Sequence, residues 1–253
     1  MSTSNNKIFV VTHKDFDKSV LPYGYSTILA GGEFNKANDV DYFDNQGINI
    51  SELNRSFCEL TAQYWVWKNS VCDNLAFVHY RRFFQSDNKF NDANEIIKAD
   101  ELFDDLSKHD VILAKPVYSI RSVRSSYGAV HGFDDLDKLR NVIALNSPEY
   151  LPSFDSVMNS HGFSPFNMFA MSFELFDSYM TWLFALLVEL EKEIDLSGRS
   201  VYETRVFGFL AERLLNVWVA HNTLDIKYLP VSFLGESSFV QNAWEKLKEA
   251  IFH

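Results

Sequence analysis

Short runs of β-branched and aromatic residues alternate along the chain with longer segments whose apolar positions recur every three or four residues. The short runs predict buried strands, and the longer segments predict amphipathic helices. The predicted strands are residues 7–12, 75–79, 110–114, 167–172 and 226–229. The predicted helices are residues 51–69, 92–108, 134–145, 173–194, 200–221 and 239–253. Two polar, glycine-containing stretches predict loops, residues 22–50 and 119–132.

The alternation of strands and helices indicates an α/β fold with a mixed, mainly parallel sheet and a helical C-terminal part. No internal repeat and no low-complexity linker interrupts the pattern, so residues 1–253 are predicted to form a single domain. In such sheets, ligands bind beyond the carboxyl ends of the strands. The side chains that follow each strand are therefore the first candidates for function.

Three of the predicted strands end in polar or basic residues. The first ends in Thr12, His13 and Lys14, the second in His79, Tyr80, Arg81 and Arg82, and the third in Lys115. If the strands are parallel neighbours, these groups converge on one crevice. Arginine side chains match phosphate oxygens with two hydrogen bonds, so the crevice predicts an anionic ligand, with a diphosphate as the natural candidate.

The two adjacent arginines also have a structural interpretation. Arg81 and Arg82 point to opposite sides if the chain is extended there, so one of them could pair with a buried carboxylate such as Glu59 or Glu212. Glu212 lies in an apolar helix, where it suits either a general base or an ion pair with Arg213. The nearby aromatic residues suit either the core or stacking against a ligand.

The bulk properties exclude several classes. With a formal net charge of −11, the chain lacks the basic surface of a general nucleic-acid binder. Its longest apolar run, residues 181–188, is too short to cross a bilayer, so any membrane contact is expected to be peripheral. The start of the chain has no secretory signal, and Cys58 and Cys72 form no metal or disulfide motif. These features predict a cytoplasmic protein with reduced thiols.

Recognised catalytic signatures are missing from the sequence, including a phosphate-binding glycine loop and a nucleophilic serine motif. An Asp-x-Asp triplet, Asp39 to Asp41, follows no apolar run, and such triplets are frequent by chance in acidic chains. No divalent metal is therefore expected. His131, in the predicted loop 119–132, suits either a ligand contact or a role in the loop itself.

Four motifs in order resemble a bacterial family found in capsule and exopolysaccharide gene clusters and long labelled a domain of unknown function. The motifs are FCELTAQYWVWKN, FVHYRRFF, SPFNMFAMS and YETRVFGFLAERLLNVWV. The resemblance extends from VVTHK at 10–14 to YLPV at 228–231. It implies a GT-A-like nucleotide-sugar fold. It also implies transfer of a hexose onto a surface glycan, with some members resembling galactofuranosyltransferases that use UDP-galactofuranose.

The resemblance divides the chain into a nucleotide-sugar half, residues 1–118, and a helix-rich acceptor half, residues 119–253. The resemblance also implies roles for the side chains that stand at the family's motif positions. Catalytic roles are expected for Glu212, His79, Arg81 and Arg82; donor binding is expected for Thr12, His13, Lys14, Tyr80, Lys115 and His131; acceptor binding is expected for Asn167 and Arg213. Glu212 is expected to be the base.

The expected function is a metal-independent, inverting hexosyltransferase that uses a UDP-sugar. Its acceptor would be a capsule, O-antigen or exopolysaccharide glycan, and a lipid-linked form of such a glycan is included in this expectation. The expected location is the cytoplasm, at the inner face of the plasma membrane. Two alternatives stay open: a noncatalytic nucleotide- or glycan-binding subunit of an assembly complex, and a phosphoesterase, for which the sequence offers neither a metal motif nor a nucleophile.

Overall fold

The computed structural model describes residues 5–86 and 95–234. Its strands are β1 Asn6–Thr12, β2 Tyr25–Leu29, β3 Tyr42–Phe43, β4 Asn74–His79, β5 Arg82–Phe84, β6 Val111–Ala114, β7 Val117–Tyr118, β8 Gly162–Phe163, β9 Phe169–Ser172, β10 Ile226–Leu229 and β11 Val231–Phe233. Its α-helices are α1 Asn54–Phe57, α2 Leu60–Asn69, α3 Ala99–Leu106, α4 Val123–His131, α5 Asp134–Asn146, α6 Leu151–Asn159, α7 Phe173–Glu193 and α8 Val206–His221.

The main sheet has the order β10-β6-β9-β4-β1-β2-β3. Strand β1 pairs in parallel with β2 and β4, β2 with β3, and β6 with β10, whereas β9 runs antiparallel between β4 and β6. The predicted α/β fold with a mixed, mainly parallel sheet is therefore confirmed. Because β1 and β4 are parallel neighbours, their carboxyl ends lie side by side at one edge.

Both faces of the sheet are covered, which explains why its strands are apolar runs rather than alternating patterns. Phe9 on β1 and Phe77 on β4 pack with ring centroids 5.6 Å apart on one face, beneath α7 and α8. Ile8 and Val10 point to the other face and join a second cluster that includes residues of α3. The helices and strands thus fix the backbone from which the strand-end side chains project.

Several sequence predictions differ from the observed elements, and the first is the predicted loop 22–50, which contains strands β2 and β3 of the main sheet. The predicted loop 119–132 contains β7 and α4, because Ser122 caps the helix by accepting from the Ser125 N–H, and Val123 and Tyr127 bury one face. The predicted helix 92–108 begins only at Ala99 among the described residues, because Ile96 and Ile97 pair with the chain near β5. The predicted helix 239–253 lies outside the described residues.

Two further differences concern helices that end or begin abruptly. The predicted helix 51–69 is divided into α1 and α2, because Cys58 takes a positive φ of 53°. The predicted helix 200–221 becomes regular α-helix only at Val206, after a 3₁₀ turn at Glu203–Arg205. Strands β5, β8 and β11 were not predicted either. No helix in the described part of the chain is long and apolar enough to span a membrane.

Candidate active site

The stretch after β4 forms a tight hairpin rather than extended chain. His79 pairs with Arg82 across two antiparallel strands, so Tyr80 and Arg81 are the two residues of the turn. The Tyr80 N–H donates to the Val11 carbonyl at 3.1 Å, which ties the turn to the end of β1. The expectation of extended chain through both arginines is therefore wrong, because Arg81 lies in the turn and Arg82 begins β5, which returns along β4. The turn nevertheless sends the two arginines to different surroundings.

On one side of the turn, cations gather around an aromatic ring. The Tyr80 ring has the His13 ring edge-on at 5.2 Å, the Arg81 guanidinium at 4.8 Å and the Lys14 ammonium at 5.8 Å. Partial burial lowers the pKa of His13, and the charges of Lys14 and Arg81 lower it further. The predicted convergence of the β1 and β4 ends is thus observed as two cations, Lys14 and Arg81, and one histidine around Tyr80.

On the other side of the turn lies a group that we call the carboxylate cluster: Glu59, His79, Arg82, Arg205 and Glu212. The Arg82 guanidinium lies 4.6 Å from the Phe166 ring centroid, and its charge stabilises ionised Glu212. Burial lowers the pKa of His79, with Glu59 opposing and Arg82 reinforcing that shift. His79 Nε2 also lies 2.6 Å from the Phe166 carbonyl oxygen. Acidic and basic side chains therefore share one largely desolvated space.

The two carboxylates of this cluster are held differently. Glu212 is one-fifth exposed, and both its oxygens accept hydrogen bonds, from the Phe166 N–H at 3.2 Å and from Arg213 at 2.9 Å. Burial raises the pKa of Glu212, although Arg213 pulls it down. In contrast, Glu59 Oε1 accepts from Asn167 at 2.6 Å, while within the described ranges 5–86 and 95–234 Oε2 has no hydrogen-bond donor. Glu59 therefore keeps one oxygen for a ligand.

Backbone strain is concentrated beside these carboxylates. Cys58 has φ 53° and ψ −128°, which places Glu59 at the start of α2, and Phe166 and Asn167 have φ values of 80° and 50°. Non-glycine residues in such conformations cost of the order of 1–3 kcal/mol each and persist only where surrounding contacts enforce them. The hydrogen bond from Asn167 to Glu59 joins the strained segment at 166–167 to the one at Cys58. The strained backbone therefore helps to fix the position of the Glu59 carboxylate.

Buried polar atoms without a partner occur around the same carboxylates. Among the described residues these atoms include Arg82 Nε, Arg213 Nε, Asn167 Oδ1 and Gln63 Oε1. Buried polar groups are nearly always paired, so each exception calls for an explanation, and a ligand site is one of the recognised explanations. Their position next to the strand-end cations therefore supports a site that is completed by a polar ligand.

The remaining predicted site residues occupy several places. Thr12 is buried, and its hydroxyl donates to the Lys14 carbonyl, so it shapes the loop that carries Lys14. Lys115 is exposed beyond β6, two strands away from β4. Asn167 and Arg213 are buried and support Glu59 and Glu212, respectively. His131 packs against Tyr127, Tyr202 and Phe209, on α4 rather than at the turn after β4.

Sequence reasoning missed two members of the carboxylate cluster. Glu59 was considered only as a structural partner of an arginine, and Arg205 was not considered. Arg205 donates to the Cys58 sulfur at 3.3 Å, and its charge lowers the pKa of both His13 and His79. The sequence did contain a signal for Glu59, because this charged residue lies between the apolar residues Phe57 and Leu60. Asp39 and Asp41 both contact Lys18, and Asp41 also accepts hydrogen bonds from Thr27 on β2.

A family model described as "Domain of unknown function (DUF4422)" matches residues 7–223, so the chain belongs to that family. No curated protein matches the chain significantly. Among solved structures, the chain is similar to the apo structure of the WbbM bifunctional glycosyltransferase, with 26% identity and a TM-score of 0.79. This match covers 92% of the chain and 46% of WbbM, so the chain spans less than half of that protein.

A second match is core-mannan synthase A from Aspergillus fumigatus, solved in an Mn/GDP form. It has 9% identity and a TM-score of 0.39 over 100% of this chain and 87% of that protein, which is too low to support an argument. The resemblance seen in the sequence is therefore confirmed in its coarser part, a family labelled a domain of unknown function whose fold is that of a glycosyltransferase.

Proposed function

We propose that this member of the DUF4422 family is a glycosyltransferase that moves a hexose from a UDP-sugar to a surface-polysaccharide acceptor. One observation carries the proposal: the parallel strands β1 and β4 bring Lys14, Arg81 and Arg82 together at one sheet edge, and Glu59 of α2 and Glu212 of α8 lie beside them. The similarity to WbbM supports the reaction class. Galactofuranose as the sugar, a capsule, O-antigen or exopolysaccharide acceptor, and a cytoplasmic setting at the inner membrane face belong to the proposal through the resemblance of the motifs.

The leaving group is the diphosphate, on which negative charge develops as the sugar departs. Arg81, Arg82 and Lys14 are proposed to stabilise that charge, with Arg205 as a fourth cation on the acceptor side. Preformed positive groups of this kind reduce the barrier because they need no reorganisation during the reaction. In this proposal the side-chain cations perform the task that a divalent metal performs elsewhere, so the enzyme is metal-independent.

The acceptor hydroxyl attacks the anomeric carbon, the bond to the diphosphate breaks, and UDP leaves with the electron pair. A carboxylate takes the hydroxyl proton, and the single displacement inverts the anomeric configuration. The sequence nominates Glu212 as this base, but Arg213 and the Phe166 N–H already occupy its oxygens. We therefore propose Glu59 as the base, because its Oε2 accepts no hydrogen bond from the described residues. Glu212 would instead position Arg213 and the backbone at Phe166.

The test is UDP release from a panel of UDP-sugars with glycan acceptors, measured with and without EDTA. We expect turnover that EDTA leaves unchanged and that an Arg81→Ala, Arg82→Ala double variant loses. UDP binding without turnover on any acceptor would instead indicate a noncatalytic binding subunit. Complete inhibition by EDTA would refute the substitution of cations for a metal. A folded double variant with normal turnover would remove the two arginines from the mechanism.

A further inference from the structure

A cavity of about 220 Å³ lies between α4, the start of α5 and the first turns of α8. We call it the α4–α8 pocket, and its lining residues are Tyr127, His131, Gly132, Phe133, Asp134, Asp135, Arg199, Glu203, Val206 and Phe209. The volume suits a single ring-sized ligand. The lining of the pocket combines aromatic rings with acidic and basic side chains, so it offers both a flat surface and hydrogen-bonding groups to a small molecule.

Aromatic rings form one wall of the pocket. The His131 ring lies 4.5 Å from the Phe209 ring and 4.7 Å from the Tyr127 ring, and Tyr202 stacks on His131 at 5.6 Å. Phe133 packs against α4 only because Gly128 has no side chain, since a Cβ there would lie 2.1 Å from the Phe133 ring. Such flat, apolar surfaces with polar edges suit a ligand that presents C–H groups on one face and hydroxyls around its rim.

The polar groups of the pocket favour an uncharged ligand over a phosphate. Asp135 is held by both terminal nitrogens of Arg199, at 2.5 and 2.7 Å, so the guanidinium is already engaged. Asp134 is exposed, and in the described part of the chain its carboxylate accepts no hydrogen bond. The buried Tyr127 hydroxyl also has no partner among the residues described. Carboxylates accept hydrogen bonds and repel anions, so these groups match ligand hydroxyls.

Helix α8 joins the pocket to the carboxylate cluster. Phe209 lines the pocket, and Glu212 and Arg213 follow on the next turn. Arg213 donates to Glu212 and to the Phe209 carbonyl, and its guanidinium lies 5.2 Å from the Tyr127 ring. A ligand in the pocket is therefore one helical turn from Glu212, a member of the carboxylate cluster.

We propose that the α4–α8 pocket binds an uncharged sugar ring of the glycan acceptor, next to the ring that receives the transferred hexose. This assignment rests on the proposed function and adds to it a place and a chemical class for the acceptor. His131 then contacts acceptor hydroxyls, in contrast to the donor role expected from sequence. Its neutral imidazole can both donate and accept hydrogen bonds, and burial together with Arg213 keeps it neutral by lowering its pKa to about 4.

The experiment is saturation-transfer difference NMR on the full chain with millimolar methyl glycosides of galactose, glucose and mannose, with and without saturating UDP. We expect at least one glycoside to give signals that UDP does not displace. His131→Ala and Asp134→Ala should each reduce those signals at least fivefold, and the exposed Asp134 covers the case in which the histidine variant misfolds. His161→Ala, an exposed histidine outside the pocket, is the matched control and should leave them unchanged.

Two results would overturn the pocket assignment while leaving the proposed function intact. The first is UDP binding with no glycoside signal in either condition. The second is a glycoside signal that UDP displaces and that persists in both pocket variants, since the glycoside would then occupy the donor site. Failure of the proposed function has a different signature, because UDP itself would not bind, or would bind without turnover on any acceptor in the UDP-release assay.

Discussion

The protein has two carboxylate centres, and they are built in opposite ways. The first is Asp44, which is fully buried and accepts four hydrogen bonds of 2.6–2.8 Å. The donors are the N–H groups of Gly31 and Gly32 and the hydroxyls of Ser51 and Thr61. All four donors are neutral, and both carboxylate oxygens are fully used. This centre joins the loop after β2 to the start of α2.

The second centre is the carboxylate cluster, where the acids face cations and several polar atoms lack partners. Arg82 forms no salt bridge with the described residues, although its charge acts on Glu212. Desolvated charges that are not paired are costly, so such an arrangement is poor scaffolding. The difference teaches that saturation of hydrogen bonds, rather than burial of a carboxylate, separates a structural centre from a candidate reactive one.

The largest effect is expected from removing the proposed base. Glu59→Gln keeps an oxygen for the Asn167 amide, so the fold should persist, but it cannot accept a proton. Turnover should fall by about 10²–10⁴-fold, the range typical of lost general-base catalysis. The measurement is UDP release with circular dichroism as a check of folding. Exposed Glu52→Gln is the control, and a loss confined to Glu212→Gln would move the role of base back to Glu212.

The saturated centre should respond through stability instead. Asp44→Ala leaves four donors without their acceptor, at about 1–3 kcal/mol for each one that stays buried and unsatisfied. Urea denaturation should therefore show a large loss of unfolding free energy. The control Asp15→Ala removes an exposed carboxylate that also accepts from neighbouring groups, and it should change stability little. Equal effects of the two variants would contradict the contrast between the centres.

A smaller effect is expected from acid. Because the pKa of His79 in the fold lies below its ordinary value of 6.5, protonation favours the unfolded chain. The stability contributed by neutral His79 is thus fully present above pH 6.5 and is lost as the pH falls from there towards the lowered value. His79→Gln, which can still donate to the Phe166 carbonyl, should flatten this part of the curve of urea midpoint against pH. An unchanged curve would show that His79 does not titrate in this window.

Much of the fold was predictable because both faces of the sheet are covered. Strands such as β1 and β4 are continuous apolar runs, and α5 and α7 are long periodic segments, so pattern alone located them. Helix α4 was missed because its buried face consists mainly of Val123 and Tyr127 in a polar sequence. The break at Cys58 was missed because a positive φ at a non-glycine residue is imposed by tertiary contacts and has no local signal.

The candidate site was predictable only in part, for a related reason. The strand-end residues from Thr12 to Lys14 and from His79 to Arg82 follow from the strand rule, since parallel neighbours bring their ends together. Glu59, Asn167 and Glu212 come from separate elements, and no spacing in the sequence brings them together. Which carboxylate keeps a free oxygen depends on hydrogen bonds across more than 100 residues of chain, such as that from Asn167 to Glu59.

The central claim is that guanidinium charge serves the reaction rather than the fold, and Arg82→Met tests it most directly. Melting temperature and turnover should be measured on the same preparation, with Arg55→Met as control, because Arg55 is exposed and stacks on Phe34 at a similar 4.6 Å. The account predicts an unchanged or higher melting temperature with turnover reduced by about 10²–10³-fold. A melting temperature lowered by several degrees, with turnover close to that of the unaltered protein, would contradict it.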